Sequence, residues 1–168
     1  MVKPVVKIPN PILRRKTQPV GEITAEIRRL VQDMKDTMYA EPGVGLAAPQ
    51  IGVSLRVIVW DSPENKDGFQ VLLNPRIVKS EGRVKGPEGC LSIPEVSGEV
   101  VRAASVQVDG MTLEGKKVSL AFEDFTSRIL QHEIDHVDGI LYIDRLSAAE
   151  RSVLEKKIKK LSKGAPAL

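Results

Sequence analysis

The sequence has few of the residues that most often carry enzyme chemistry: one cysteine, two histidines and only 4% aromatic residues in a chain of 168. A lone cysteine, Cys90, cannot form an internal disulfide, which suits a reducing compartment and leaves the thiol available for a metal ion. No hydrophobic run approaches the roughly 18 residues that a membrane span needs. The N-terminal stretch MVKPVVKIPNP is broken by prolines and lacks the apolar core of a secretory signal. We therefore expect a soluble protein of the bacterial-type cytoplasm.

The length of the chain is that of one ordinary domain, and we interpret residues 1–168 as a single domain with its own core. The formal net charge of +3 is small, and much of it lies near the C-terminus in RSVLEKKIKKLSK. Any attraction to nucleic acid would therefore be local. We expect a monomer that does not bind membranes.

Three helices are predicted from apolar residues at helical spacing. The first, in ITAEIRRLVQDMKDTMYAEPG, has Thr24 as a candidate N-cap and a Pro-Gly stop at 42–43. The second begins near Asp124, ends at Gly139 and is apolar around most of its circumference, as central helices are. The third, at about 147–163, opens with the capping-box spacing of SAAE. The predicted buried residues of the first and third helices are Ile27, Leu30, Val31, Met34, Met38, Leu154, Ile158 and Leu161.

Four strands are predicted in the middle of the chain, where short runs of β-branched and apolar residues alternate with turn residues. A turn at Glu114-Gly115 is expected to join the last two strands as a hairpin. The predicted ranges are 54–61, 70–78, 104–113 and 116–122.

Both histidines lie in LQHEIDHVDG, on the second predicted helix. Four residues advance a helix by about 400°, so His132 and His136 project from one face and can share a metal ion, with Glu133 at its rim. The competing interpretation is a buried helix whose histidines are satisfied by ordinary hydrogen bonds. A catalytic metal site is favoured because the pattern uses both histidines on the most apolar helix.

A catalytic divalent ion usually has three protein ligands and one open position for water. The segment after His136 offers only Asp138 and Asp144, so the candidate third ligand is Cys90 in the glycine-flanked stretch EGCLS. A single cysteine is more often a small buried hydrophobe. Together with the histidine pair, however, it would complete a Cys/His/His site.

The stretch GVGLAAPQIG, from Gly43 to Gly52, follows the first helix. It lacks the preceding strand and third glycine of a dinucleotide site, so we expect no nucleotide cofactor. It is either an ordinary loop or a place where an extended peptide lies against glycine backbone, with Gln50 as an amide donor.

GVGLAAPQ, EGCLS and QHEIDH, in this order and at these separations, resemble the three signature motifs of the peptide deformylases. These bacterial and organellar hydrolases remove the N-formyl group from the formyl-methionine of newly made polypeptides. The resemblance runs from IPNPILR to ILYIDRL and leaves only the last predicted helix outside it. Val137 departs from the leucine that family members often have, which affects packing behind the helix and no catalytic position.

The resemblance implies a role for each motif residue. It makes Glu133 the residue that moves protons, and the Gln50 side chain and the Leu91 backbone N–H the donors to the developing oxyanion. It implies Fe²⁺ as the usual physiological ion, with Ni²⁺ or Co²⁺ as active substitutes, whereas general ligand chemistry also suits Zn²⁺. The implied metal ligands are Cys90, His132 and His136.

The resemblance also implies where the substrate binds. The methionine side chain would enter an apolar pocket with Val44, Phe125 and Ile129 as its walls. The peptide backbone would add along Val44, Gly45 and Gly89 in strand fashion.

Three charged positions near these motifs have less specific interpretations. We interpret Arg128 as a snorkelling surface residue rather than a substrate contact. Glu88 and Arg102 either brace the cysteine loop or form a bare surface pair. Asp135 either anchors the site from behind or pairs locally.

Two further questions stay open at the level of the sequence. The lysines of KKIKKLSK either dock on the ribosome, as the C-terminal segment does in some relatives, or are simply solvated. The rivals to a deformylase are a general His-Glu-x-x-His metalloprotease and a non-catalytic metal-binding or ribosome-associated relative. The missing downstream ligand disfavours the first, and Glu133 beside the open position disfavours the second. We expect an α+β fold in which antiparallel sheets surround a central metal-bearing helix, with one helix on each sequence flank.

Overall fold

The computed structural model describes residues 1–64 and 66–164, with side chains described as far as Leu161. These ranges contain three α-helices, seven β-strands and three short 3-10 turns. The helices are α1 (Ala25–Ala40), α2 (Asp124–Val137) and α3 (Ala148–Gly164). The strands are β1 (Gly45–Ala47), β2 (Val57–Trp60), β3 (Gln70–Glu81), β4 (Val84–Cys90), β5 (Ile93–Arg102), β6 (Ser105–Met111) and β7 (Lys117–Glu123). None of the described helices is both long enough and apolar enough to cross a membrane.

The main sheet is antiparallel and has the order β1-β2-β3-β6-β7. Its short strand β2 shows why the two faces differ, because successive side chains of a strand point to opposite sides. Val57 and Val59 pack in one apolar cluster with α1, whereas Ile58 and Trp60 pack in a second cluster with α2. The sheet is therefore covered on both faces, and α2 lies inside the molecule.

Strands β4 and β5 form a separate antiparallel hairpin. A third apolar cluster joins this hairpin, through Ile93 and Val100, to Tyr142 and to Leu154 of α3. The hairpin thus packs in an apolar cluster of its own, separate from the two clusters of the main sheet, and its Cys90 end reaches α2 at His136.

The structure confirms the α+β class and the central position of the histidine-bearing helix. The Thr24 hydroxyl accepts a hydrogen bond from the Ile27 N–H at 3.3 Å, so it caps α1 as predicted. All five predicted apolar positions of α1 are buried. The predicted turn is also present, with Gly115 at φ +83° between β6 and β7.

Some details of the predictions were wrong. The sequence pattern missed β1 and the β4–β5 hairpin, whose strands contain glycine and proline and do not alternate cleanly. Strand β3 runs beyond the predicted end, to Glu81. Leu161 is 40% exposed rather than buried, because the apolar cluster that α3 shares with β5 and the turn at Tyr142–Arg145 takes in Leu154 and Ile158 but not Leu161.

Candidate active site

Helix α2 presents His132 and His136 on one face, as the four-residue spacing predicts. Their Nε2 atoms are 3.2 Å apart, and their ring centroids are 4.9 Å apart. His136 is buried, whereas His132 keeps 14% of its side chain exposed. The two imidazoles therefore meet at the wall of a cleft, where a small ligand could reach them.

Cys90 comes to the same point from the end of β4. The pairing register of the hairpin shifts between Gly89 and Cys90, so that Cys90, which pairs with Ile93, lies at the tip of the hairpin. Its Sγ atom lies 3.3 Å from His136 Nε2. One donor atom from each of Cys90, His132 and His136 lies within 4.8 Å of the other two, which is the compactness that a shared metal ion needs.

The charges of this cluster are strongly coupled. Burial alone would raise the pKa of the Cys90 thiol, but the adjacent His136 and His132 favour the thiolate and hold its pKa well below the usual value. Burial likewise opposes charge on His132, but its hydrogen bonds with Cys90 and Glu88 raise the imidazole pKa well above the usual value. A cation among these atoms would displace the imidazole proton and keep the thiolate.

Glu88 holds His132 from behind. Its Oε1 is 2.9 Å from His132 Nδ1, which leaves Nε2 facing the cleft. Burial would raise the Glu88 pKa, but Arg102 and His132 lower it to about 2. Arg102 also donates to Asp135 at 2.6 Å, and Asp135 accepts from Arg145. The buried Glu88–Arg102 pair and Asp135 therefore form one network behind the site, rather than a surface pair and a local charge.

Glu133 lies beside the cluster with its carboxylate buried. Its Oε1 and the Nδ1 atom of His136 are buried without a hydrogen-bond partner among the described residues. Burial is the main reason that the pKa of Glu133 is raised, and the two histidines oppose the rise. A Cβ atom added at Gly45 would lie 2.6 Å from Glu133 Oε2, so only glycine leaves room for the carboxylate there.

Gln50 is oriented by the short turn that follows β1. Its Oε1 accepts a hydrogen bond from the Ala47 N–H at 3.0 Å, so its Nε2 points the other way. Nε2 donates to Ser92 Oγ at 3.2 Å and lies 3.6 Å from Cys90 Sγ. The side-chain amide of Gln50 is therefore held at both its oxygen and its nitrogen, and the nitrogen lies beside Cys90 of the metal-ligand cluster. Gln50 is only 2% exposed.

A cavity of about 570 Å³ opens beside these groups, a volume typical of small-ligand sites. The residues predicted from the sequence to contact substrate all line it. Val44 and Phe125, large apolar residues that are 41% and 39% exposed, belong to its wall. The other predicted residues that line it are Gly45, Gln50, Gly89, Cys90, Leu91, Ile129, His132 and Glu133.

Arg128 is not a snorkelling surface residue as predicted. Its guanidinium donates to Glu88 Oε2 at 2.7 Å and to two carbonyl oxygens of the hairpin, and only 11% of the side chain is exposed. The prediction failed because a helical pattern shows on which face a residue lies, but not which strand will cover that face.

Two further residues of the site were not singled out from the sequence. Ser92 is fully buried and accepts from Gln50; its place in EGCLS was the available signal. Tyr142 stacks on the His132 ring with centroids 6.3 Å apart, and burial raises its pKa to about 12. No local pattern connects Tyr142 to the histidines, because the contact depends on the turn at Tyr142–Arg145 folding back onto α2.

The chain matches known proteins of one family. The model of the polypeptide deformylase family matches residues 2–152. A peptide deformylase of Acidobacterium capsulatum is 46% identical over 165 residues, covering 97% of each chain. One from Symbiobacterium thermophilum is 55% identical over 141 residues, covering 84% of this chain and 65% of the relative.

Solved structures of peptide deformylases match the fold of this chain over almost its whole length. The crystal structure of a peptide deformylase from Legionella pneumophila has a TM-score of 0.90 and 40% identity, covering 99% of this chain and 100% of that one. The peptide deformylase of Thermus thermophilus has a TM-score of 0.89 at 40% identity, covering 98% of this chain and 100% of that one. The ordered motifs, the site and these matches agree, and the chain belongs to the polypeptide deformylase family.

Proposed function

We propose that the Cys90, His132 and His136 cluster is the metal centre at which this chain performs the reaction of its family. As a member of that family, the chain is a metal-dependent hydrolase that removes the N-formyl group from the N-terminus of nascent peptides. The observation that carries the proposal is the convergence of three ligand atoms, a buried carboxylate and an oriented amide on one cavity.

The donor set fits a divalent transition-metal ion. A thiolate and two imidazoles are typical ligands of Fe²⁺, Zn²⁺, Co²⁺ and Ni²⁺, and the three atoms already lie within 4.8 Å of one another. His132 Nδ1 is held by Glu88, the carboxylate–histidine arrangement found behind many metal ligands. We propose Fe²⁺ as the physiological ion, following the family resemblance, with the other three as substitutes.

When bound, such an ion would lower the pKa of water far below its ordinary value, to roughly 7, and would polarise the formyl carbonyl. Glu133 would accept the proton of the attacking water. Its Oε1 is suited to this role because it is buried and unpartnered among the described residues. A raised pKa also lets the carboxyl hold that proton long enough to pass it to the departing amine.

The developing oxyanion needs donors that are fixed in advance. Gln50 Nε2 is held by the Ala47 contact, and the Leu91 backbone follows directly after Cys90 in the wall of the cavity. We propose these two N–H donors for the carbonyl oxygen. One such donor is commonly worth about 3 kcal/mol.

The peptide would bind in the cleft between β1 and the end of β4. Among the described strands, β1 is the last on its side of the sheet, so its outer edge can pair with an extended peptide. Val44 and Gly45 would contribute from that edge and Gly89 from the hairpin. The formyl-methionine side chain would then lie against Val44, Phe125 and Ile129.

We also propose a binding partner and a cellular location for this chain. Exposed lysines on α3 give a basic face suited to the ribosome, where nascent chains emerge; they are Lys156, Lys157, Lys159 and Lys160. The side chains of residues 162–164, which include the last lysine of the predicted motif, lie outside the described part. We further propose a single deformylase-like domain that acts as a monomer in the bacterial cytoplasm.

The test is hydrolysis of a formyl-Met-Ala-Ser peptide by protein purified without oxygen. Glu133→Gln and an N-acetyl peptide serve as controls. Rapid formate release that requires Glu133 and spares the acetyl peptide supports the assignment. Formate release that survives Glu133→Gln, or cleavage of an internal peptide bond, contradicts it.

A further inference from the structure

One arginine links the two halves of the proposed metal centre. Arg128 lies on α2, four residues before His132. Its Nη1 donates to the Val100 carbonyl at 3.0 Å and to Glu88 Oε2 at 2.7 Å, and its Nη2 donates to the Val84 carbonyl at 2.8 Å. A single guanidinium therefore bridges the helix to both strands of the hairpin that carries Cys90.

The hairpin leaves space for this guanidinium at Gly86. Gly86 pairs with Val100 in the ladder, beside the carbonyl that Arg128 contacts. A Cβ atom at position 86 would lie 3.2 Å from Arg128 Nη2 and 3.3 Å from its Cζ. A larger side chain there would push the guanidinium away from the hairpin.

Arg128 also completes the hydrogen bonding of Glu88. The carboxylate accepts two bonds from Arg102, one from His132 and one from Arg128. Because a buried carboxylate is costly unless its donors remain in place, Arg128 limits how far Glu88 can move. Movement of Glu88 would in turn move His132, whose Nδ1 it holds.

We propose that Arg128 is a positioning residue. It holds the hairpin that carries Cys90 against the helix that carries His132, and so keeps the three metal ligands close enough to share one ion. The inference rests on the proposed metal centre. Loss of Arg128 should therefore let the Cys90 thiolate move away from the imidazoles of His132 and His136, even where the rest of the protein stays folded.

Arg56 provides a matched control at the other end of α2. It is 14% exposed, pairs with Asp138 at 2.6 Å and donates to the Pro75 carbonyl at 2.6 Å. Arg56→Met removes the same kinds of bond as Arg128→Met, but Arg56 has no hydrogen bond to Glu88 or to the hairpin among the described residues. A merely structural role for Arg128 would make the two variants alike.

The experiment loads each protein with Co²⁺ and follows its transfer to excess chelator, using the absorption of the cobalt–thiolate chromophore. Urea unfolding of the same samples reports stability. We expect Arg128→Met to speed the transfer by about tenfold or more, the size of effect seen when groups behind a metal ligand are removed. Arg56→Met should stay within about twofold of the parent: Arg56 pairs with Asp138, close to His136, but among the described residues it has no hydrogen bond to Glu88 or to the hairpin that carries Cys90. Equal transfer rates in the two variants, at comparable loss of stability, would overturn the proposal.

Gly86→Val tests the same contact from the hairpin side. In the parent background it should speed Co²⁺ transfer, and this single-variant result tests the proposal if Arg128→Met does not fold; an unchanged transfer rate would contradict it. Where both variants fold, Gly86→Val should have less effect in the Arg128→Met background, because the two changes break the same contact. Additive effects would contradict the proposal. A parent protein without a cobalt–thiolate band would instead refute the proposed metal ligands, which separates the two failures.

Discussion

Arg102 grips the carboxylate of Glu88 with two parallel hydrogen bonds, from Nε at 2.8 Å and from Nη2 at 2.9 Å. Both side chains are buried, with 4% of the Arg102 side chain and 5% of the Glu88 side chain exposed. The pair is therefore an internal support behind His132, and several consequences of this and the neighbouring contacts can be measured.

Arg102→Met should destabilise the fold strongly. It removes the fork from Glu88 and one partner from Asp135, and breaking a buried ion pair costs about 3 kcal/mol or more. Urea unfolding in the presence of chelator would measure this without the contribution of a metal. As a control, Lys79→Met breaks an exposed pair with Glu81 and should change the unfolding free energy by less than about 0.5 kcal/mol. Equal losses of unfolding free energy in the two variants would show that the buried contacts of Arg102 stabilise the fold no more than an exposed ion pair does.

Gly45→Ala should impair catalysis more than folding. The added Cβ would lie 2.6 Å from Glu133 Oε2, so the carboxylate must move from its present position. Because general acid–base groups typically contribute 100-fold or more, we expect kcat for formyl-peptide hydrolysis to fall by about 100-fold. The matched control is Gly21→Ala, whose Cβ would meet nothing within 4 Å. Unchanged kcat in Gly45→Ala would mean that Glu133 does not act from the observed position.

Gln50→Ala should reduce kcat by about 100-fold to 1,000-fold, the usual effect of removing one oxyanion donor. Ser92→Ala separates this effect from a structural one, since it removes a neighbour of the amide but leaves the Ala47 contact that orients it. We expect Ser92→Ala to retain most of the activity in the same formate-release assay. A kcat in Gln50→Ala close to that of the parent would remove the amide from the mechanism.

Chelation should lower the stability of the metal-loaded protein but not that of a ligand variant. An ion that binds only the folded state stabilises it by about 2.7 kcal/mol when its free concentration is 100 times Kd. Differential scanning calorimetry with and without excess chelator would show this shift in the parent and its absence in Cys90→Ser. A chelator shift of the same size in Cys90→Ser would place the ion elsewhere.

Sequence patterns predicted the features whose residues lie within a few positions of one another along the chain. The apolar spacing of α1, its Thr24 cap and the i, i+4 histidines of α2 follow from helix geometry, and the structure agrees with them. The β4–β5 hairpin escaped because GPEGC and IPEVSG read as turn material rather than as strands. With the hairpin unknown, the contacts of Arg128 and the stacking of Tyr142 on His132 had no basis in the sequence, since both depend on tertiary packing.

The proposed metal ligands lie far apart along the chain. Cys90 and His136 are 46 positions apart, one on the hairpin and one on the central helix. An ion bound by both would close that long stretch into a covalent-like ring, as a disulfide does, in a chain whose single cysteine cannot form one. The proposed ion would thus serve the enzyme twice, as its reactive centre and as a cross-link between the hairpin and the central helix.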